Sequence, residues 1–143
     1  MNTVRRAKIL IIEDNQVNLE LFLDILDLGG YQCLSASEGA EGLEIAAREV
    51  PDLILLDIQL PGIDGLSVVK SLRSMPLTKD IKTIALTAYA MKGDREMFLE
   101  KGFDGYIPKP IAVKGFLEMI ADYLKLPDLA VDRSGSSACA AIK

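Results

Sequence analysis

The feature that most constrains the fold is a regular alternation of two kinds of segment along the chain. Short apolar runs, rich in Ile and Leu and bounded by acidic residues, Gly or Pro, predict five strands. These runs lie at Lys8–Ile12, Gln32–Ser35, Leu53–Leu56, Thr83–Leu86 and Gly105–Ile107. The runs at Lys8–Ile12 and Leu53–Leu56 are continuously apolar, which is typical of strands that are covered on both faces.

Longer segments with apolar residues three or four positions apart separate these runs and predict five helices. The first helix should end at Gly29-Gly30 and the second at Pro51. The apolar residues that predict the first helix are Val17, Leu21, Ile25 and Leu28. Strict alternation of strands and helices predicts an α/β fold in which a parallel sheet carries helices on both faces. Right-handed crossovers leave few topologies for such a sheet.

The chain of 143 residues fits one domain. We expect an N-terminal extension over residues 1–7, a folded domain over 8–125, and a tail or linker over 126–143. The last segment loses apolar periodicity and contains the run Asp132-Arg133-Ser134-Gly135-Ser136-Ser137.

Composition excludes several classes of function. The chain contains no histidine, which excludes serine–histidine triads, histidine general bases and histidine-ligated zinc. Its 21 acidic residues outnumber 16 basic ones, and this balance argues against direct binding to nucleic acid. The apolar run at Ile9–Ile12 is too short for a signal peptide or a membrane span. We therefore expect a cytoplasmic protein.

Polar residues follow the predicted strands where a ligand site is expected. In parallel α/β sheets ligands bind outside the carboxyl ends of the strands. Those ends carry Glu13 and Asp14, Asp57, Thr87 and, after the fifth strand, Lys109. Each residue alone is more often an ordinary polar loop residue. Three carboxylates that meet at one edge repel one another unless a cation neutralises them, and Mg²⁺ prefers such oxygen ligands.

Four motifs in this order resemble the receiver domain of two-component response regulators, the CheY-like family, from about Lys8 to Leu124. The closest pattern is that of DivK-type single-domain receivers and of hybrid histidine kinase receivers. The resemblance implies a flavodoxin-like, doubly wound five-stranded parallel sheet of order 2-1-3-4-5 with five helices. The motifs are Glu13-Asp14-Asn15, Asp57-Ile58-Gln59-Leu60-Pro61-Gly62, Ala85-Leu86-Thr87-Ala88 and Gly105-Tyr106-Ile107-Pro108-Lys109-Pro110.

The resemblance implies that Asp57 is the phosphoacceptor, a carboxylate nucleophile that becomes an acyl phosphate. It also implies a Mg²⁺ site, which Mn²⁺ could occupy as well. Asp14 and Asp57 would bind the ion directly together with the backbone carbonyl of Gln59. Glu13 would act mostly through a metal-bound water.

Further roles carried over from the family concern the phosphoryl group and the response to it. Lys109 would neutralise one phosphoryl oxygen, while Thr87 and the backbone N–H of Ala88 would bind another. Thr87 and Tyr106 would form a switch in which Tyr106 turns inward when Thr87 moves. The peptide bond before Pro110 resembles the cis peptide of the family.

The family also implies two protein partners, because the phosphohistidine donor must come from elsewhere. A histidine kinase or a histidine phosphotransfer protein would dock on one surface and a downstream target on another. We expect only one or two apolar residues of the first surface to be exposed, because such residues on a first helix usually face the core. Candidates for the first surface are Asn18, Leu21, Phe22, Pro110 and Val113. Candidates for the second are Met91, Lys92, Arg95, Phe98, Tyr106 and Phe116.

We predict a receiver that signals through protein–protein contacts without its own output domain. It should accept phosphate without being a turnover enzyme, be a monomer or weak dimer, and bind neither nucleic acid nor membrane. An alternative is a receiver domain from a hybrid histidine kinase or a longer regulator. A haloacid-dehalogenase-type aspartyl-phosphate hydrolase is disfavoured, because Gln59 stands where that class needs a second Asp.

Overall fold

Five parallel strands form one sheet in the order β2-β1-β3-β4-β5, as predicted. The structure is a computed structural model that describes residues 7–60, 64–87, 94–109 and 113–125. The strands are β1 Lys8–Ile12, β2 Gln32–Ala36, β3 Leu53–Asp57, β4 Lys82–Thr87 and β5 Gly105–Pro108. The helices are α1 Gln16–Leu28, α2 Gly39–Glu49, α3 Gly65–Ser74, α4 Asp94–Glu100 and α5 Val113–Lys125.

Some sequence predictions concern parts of the chain that lie outside the described residues. They include the tail over 126–143, the first six residues of the extension, and the site or surface residues Ala88, Met91, Lys92 and Pro110. The side chain of Arg95 is likewise not described. Among the described residues, no helix combines the length and the hydropathy that a membrane span requires.

Successive side chains of the central strands point to opposite faces of the sheet, and both faces are buried. In β1, Ile9 and Ile11 belong to one apolar cluster, whereas Leu10 and Ile12 belong to the other. All four side chains are fully buried. The continuously apolar sequence of β1 therefore follows from coverage of the sheet on both sides.

Helices α1 and α5 cover one face of the sheet, where Phe22 and Phe116 pack with their ring centroids 5.4 Å apart. Helices α2, α3 and α4 supply the cluster on the other face through residues such as Leu72 and Phe98. Burial of each such side chain contributes about 1.5–3 kcal/mol. The two apolar layers keep the sheet rigid, and with it the carboxyl ends of the strands, where the polar residues lie.

Helix α1 is confirmed, but its apolar periodicity does not identify its buried face. Three of the four residues that marked it are exposed: Val17 by 75%, Leu21 by 45% and Leu28 by 76%. The buried residues are Leu19, Phe22, Ile25 and Leu26. The helix carries apolar residues on more than one side, so spacing alone fits two different faces.

Two helices begin directly at the carboxyl edge of the sheet because side chains cap them. Asn15 accepts a hydrogen bond from the backbone N–H of Asn18 at 2.9 Å and starts α1. Asp64 caps α3 in the same way. Gly65 follows Asp64, and a Cβ atom there would lie 2.5 Å from the Cα of Ile58. Only glycine allows α3 to begin so close to the end of β3.

Candidate functional site

The ends of the strands bring the predicted polar residues to one edge of the sheet. Asp57 is the last residue of β3 and Thr87 the last residue of β4, and both are buried. Glu13 and Asp14 directly follow β1, which pairs with β3. Lys109 follows β5, and its backbone N–H donates to the carbonyl of Thr87 at 2.8 Å. Strand order therefore joins residues that are far apart in the sequence.

The three predicted acidic residues form one cluster. Oxygens from Glu13, Asp14 and Asp57 all lie within 4.8 Å of one another. Glu13 is 1% exposed and Asp57 is 5% exposed, whereas Asp14 is open to solvent. Carboxylate oxygens at this spacing fit a hard divalent cation, and an exposed member leaves room for metal-bound water.

Lys109 lies between two of these carboxylates. Its Nζ donates to Glu13 Oε1 at 2.9 Å and to Asp57 Oδ2 at 3.2 Å. Its side chain is only 18% exposed, so both ion pairs are largely shielded from water. The cluster holds three carboxyl groups and Lys109 pairs with two of them, which leaves an excess of negative charge when all are ionised.

The pKa shifts of Glu13 and Lys109 reflect this crowding. Burial raises the pKa of Glu13, and the hydrogen bond and charge of Asp57 add to the rise. The bonds from Lys109 and from the N–H of Asn15 oppose it without cancelling it. Burial lowers the pKa of Lys109, but its bond to Glu13 and the charges of Asp57 and Glu13 outweigh burial and raise the pKa. The ammonium form of Lys109 is thus firmly held.

Backbone N–H groups fix the orientation of two of the carboxylates. The N–H of Gln59 donates to Asp57 Oδ1 at 2.9 Å, and the N–H of Asn15 donates to Glu13 Oε2 at 3.1 Å. The family resemblance implies that the carbonyl of Gln59 binds the metal ion, but it implies no role for Asn15. An Asn just before a helical pattern is a recognised N-cap signal, and that signal indicates its place here.

The candidates for the kinase-side surface differ in their exposure to solvent. Leu21 and Val113 are exposed and Asn18 is half-buried. Phe22 is wrong as a surface residue, because it is 2% exposed and packs on Phe116 in the core.

Two candidates for the output surface also belong to the core. Phe98 and Phe116 are each 1% exposed, so both are wrong as surface residues. Phe98 packs edge to face on Phe103 and also contacts the ring of Tyr106, with both centroid distances 5.7 Å. Tyr106 itself is half-buried at the end of the sheet.

Residues 9–121 match the family model of the response regulator receiver domain. The chain belongs to this family. The receivers of this family are signalling proteins in which phosphorylation on an aspartate and Mg²⁺ binding are general properties. They interact with histidine kinases and with downstream targets.

Known relatives and solved structures support the same assignment. The chain is 45% identical over 116 residues to the polar-differentiation response regulator DivK of Brucella ovis, covering 81% of this chain and 94% of DivK. The receiver domain of a sensor histidine kinase from Pseudomonas aeruginosa is similar in structure, with a TM-score of 0.78 and 31% identity. That match covers 85% of this chain and 100% of the other, which has a magnesium ion coordinated in its active site cleft. A CheY-like receiver domain protein from Methanospirillum hungatei has a TM-score of 0.76 and 32% identity, with 84% and 94% covered.

Proposed function

We propose that this receiver accepts a phosphoryl group on Asp57 from a phosphohistidine of a histidine kinase or a histidine phosphotransfer protein. The observation that carries the proposal is the environment of the Asp57 carboxylate. It ends a buried strand, accepts the N–H of Gln59, and pairs with Lys109 beside Glu13 and Asp14. A carboxylate held in this way is both oriented and close to positive charge.

In the proposed transfer, a carboxylate oxygen of Asp57 attacks the phosphorus atom of the donor. The phosphorus–nitrogen bond to the imidazole breaks, and its electron pair stays on the imidazole nitrogen. Asp57 becomes an acyl phosphate. Phosphoryl transfer passes through a loose transition state, so positioning and charge neutralisation supply most of the catalysis. We assign to Lys109 the neutralisation of one phosphoryl oxygen, and to Thr87 and the backbone N–H of Ala88 hydrogen bonds to another.

We further propose that Asp14, Asp57 and the backbone carbonyl of Gln59 hold Mg²⁺, with Glu13 acting through a bound water. The oxygen-rich donor set supports this assignment, and Mn²⁺ fits the same donors. When bound, the ion neutralises charge on the phosphoryl oxygens. Asp14 is open to solvent, which leaves access for both an ion and a donor.

We also propose that Thr87 and Tyr106 report the phosphorylated state. Thr87 is the last residue of β4, the strand that pairs with β3 and its terminal Asp57. Tyr106 lies on β5, which pairs with β4 on its other side, and is the partner of Ala85 there. The ring of Tyr106 rests on the buried Phe98 and is itself half-buried. In this proposal, movement of Thr87 toward the phosphoryl group lets the ring of Tyr106 turn inward. A change in packing of this kind biases a two-state element.

As a signalling protein rather than a turnover enzyme, the chain would act in the cytoplasm through a kinase-side partner and a downstream target. Similarity to DivK over 94% of the length of DivK supports signalling without an output domain. A receiver domain of a sensor histidine kinase is also similar, and it supports the alternative of a domain from a hybrid kinase or a longer regulator. We propose a monomer or weak dimer.

Incubation with phosphoramidate and Mg²⁺, followed by intact-mass measurement, tests the proposal. Wild type should gain the mass of one phosphoryl group, and Asp57→Asn should gain none. Asp24→Asn is a matched control, because Asp24 is an exposed acid of α1 remote from the acidic cluster. Phosphorylation of Asp57→Asn, or none of wild type, would show that Asp57 is not the acceptor.

A further inference from the structure

A cluster of hydrogen bonds lies at the opposite edge of the sheet, around Arg73 in the last turn of helix α3. The Nε of Arg73 donates to the carbonyl of Gly102 at 2.8 Å. Its Nη1 donates to the carbonyls of Lys79 at 3.0 Å and Ile81 at 2.7 Å. Its Nη2 pairs with Asp104 Oδ2 at 2.9 Å. We call these five residues the Arg73 cluster.

The Arg73 cluster is also bonded to the beginning of β4. Asp104 Oδ2 accepts the backbone N–H of Thr83 at 2.8 Å, and the N–H of Asp104 donates to the carbonyl of Thr83 at 2.8 Å. Gly102 has a φ of +111°, a conformation that glycine adopts without strain, and it lies against the side chain of Arg73. One guanidinium group thus joins the end of α3, the start of β4 and the connection from α4 to β5.

No other basic residue type could make this set of bonds. Arginine has five donors in a fixed planar arrangement, whereas lysine offers a single ammonium group. Arg73 satisfies three backbone carbonyls and a carboxylate at once, and its side chain is only 24% exposed. The three segments should therefore separate only when several bonds break together.

The cluster lies on the same strand as the proposed switch residue. Thr83 and Thr87 lie on the same strand, four residues apart, which corresponds to about 13 Å. Thr87 is at the phosphoryl-acceptor edge, and Thr83 is held by Asp104. The strand is therefore fastened at one end and carries the proposed switch residue at the other.

We propose that the Arg73 cluster holds the start of β4 in place and so limits how far along the strand a structural rearrangement caused by phosphorylation extends. A structural rearrangement at Thr87 extends along β4 toward Thr83 and ends at the Arg73 cluster. The beginning of β4 and the connection from α4 to β5 stay in place, and rearrangement is confined to the carboxyl edge of the sheet. This inference rests on the proposed function of Asp57.

Amide hydrogen exchange without phosphate tests the fastening by itself. Arg73→Ala and Arg73→Lys should speed exchange of the amides of Thr83 and Asp104 at least tenfold relative to Lys70→Ala. Lys70 is an exposed residue of the same helix and serves as the control. Arg73→Lys keeps the positive charge but cannot reach all the carbonyls, so it gives the same comparison if the alanine variant fails to fold. Unchanged exchange in Arg73→Lys would overturn the proposal.

Amide chemical shifts with Mg²⁺ and phosphoramidate test the limit on propagation. In wild type, the Thr87 amide should shift while those of Thr83 and Asp104 do not. In Arg73→Lys, the amides of Thr83 and Asp104 should shift as well. A merely structural role for Arg73 would lower stability without changing this pattern, so equal patterns in both proteins would overturn the proposal, as would wild-type shifts at Thr83. If intact mass shows that wild type takes no phosphoryl group, the proposed function fails, while the exchange result still decides whether the cluster fastens β4.

Discussion

Lys109 Nζ lies closer to Glu13 Oε1, at 2.9 Å, than to Asp57 Oδ2, at 3.2 Å. The ammonium group is thus shared between the proposed acceptor and a buried neighbour. Glu13 keeps Lys109 beside Asp57. Lys109 bonds the Oδ2 atom of Asp57, and the N–H of Gln59 bonds the other oxygen, Oδ1. The ammonium group therefore contacts two residues of the proposed metal site, and single substitutions can examine its role and that of the acids.

Lys109→Ala should keep Mg²⁺ binding and lose most phosphoryl acceptance. The substitution removes a positive charge from beside Glu13 and Asp57, so repulsion among the acids grows and a cation should bind at least as well. Loss of one charge-stabilising donor typically costs about 10²–10³ in rate. Calorimetric Mg²⁺ titration and the rate of mass gain with phosphoramidate measure the two effects. Lys101→Ala, at an exposed position, is the control, and weakened Mg²⁺ binding in Lys109→Ala would contradict the assigned role.

Glu13→Gln should stabilise the metal-free domain, and the gain should increase with pH. Burial and Asp57 raise the pKa of Glu13 above its ordinary value of 4.5, so the folded state keeps this proton where the unfolded chain has lost it. The stability that protonated Glu13 contributes is fully present below the pKa that this group has in the unfolded chain. It is lost as the pH rises through the pKa of Glu13 in the folded state. Glutamine resembles the protonated form and still offers Lys109 an oxygen.

Urea unfolding of Glu13→Gln in the presence of a chelator measures this effect at about pH 4.5 and about pH 7.5. Glu118→Gln is the matched control, because Glu118 is an exposed residue of α5. A gain of equal size at both pH values would show that ionisation of Glu13 is not what destabilises the domain.

Asp14→Asn should weaken Mg²⁺ binding by at least about 10-fold, because even the loss of a residue that only supports a ligand typically costs about 10–100-fold. Asp14 is exposed, so stability without metal should change by less than about 0.5 kcal/mol. Melting with and without Mg²⁺ measures both effects, because a ligand that binds only the folded state raises the melting temperature. If Mg²⁺ stabilised Asp14→Asn as strongly as wild type, Asp14 would not be a ligand.

Phe98→Ala should destabilise the domain by about 3–5 kcal/mol, whereas Leu99→Ala should change stability by less than about 0.5 kcal/mol. The two residues are adjacent on α4, but Phe98 is 1% exposed and Leu99 is 42% exposed. Chemical denaturation compares them directly. A small effect of Phe98→Ala would return this residue to the list of surface candidates.

Sequence reasoning could predict the strands closely because each is an apolar run with clear polar boundaries. The predicted run Thr83–Leu86 lies inside the observed strand Lys82–Thr87, and Lys8–Ile12 is identical in both. The acidic cluster was equally predictable, because parallel strands place their carboxyl ends at one edge.

Contacts between distant segments could not be predicted in the same way. Phe22 and Phe98 are candidates for partner surfaces because they lie on the helices that the family uses for docking, whereas their burial follows from packing that the sequence does not show. The role of Arg73 is not visible in the sequence, because its bonds reach residues up to 31 positions away and follow no local pattern. Periodicity reports the type of an element but not which neighbour covers it.

The bond between Lys109 and Glu13 spans 96 positions of the sequence. The acceptor environment of Asp57 draws on strands from the beginning, the middle and the end of the domain, so it cannot exist until nearly the whole domain has been synthesised and folded. A nascent or partly unfolded chain would lack both the ammonium group and the full set of acids. On the proposed function, phosphoryl acceptance by Asp57 would therefore require a domain in which β1, β3 and the segment after β5 are already assembled.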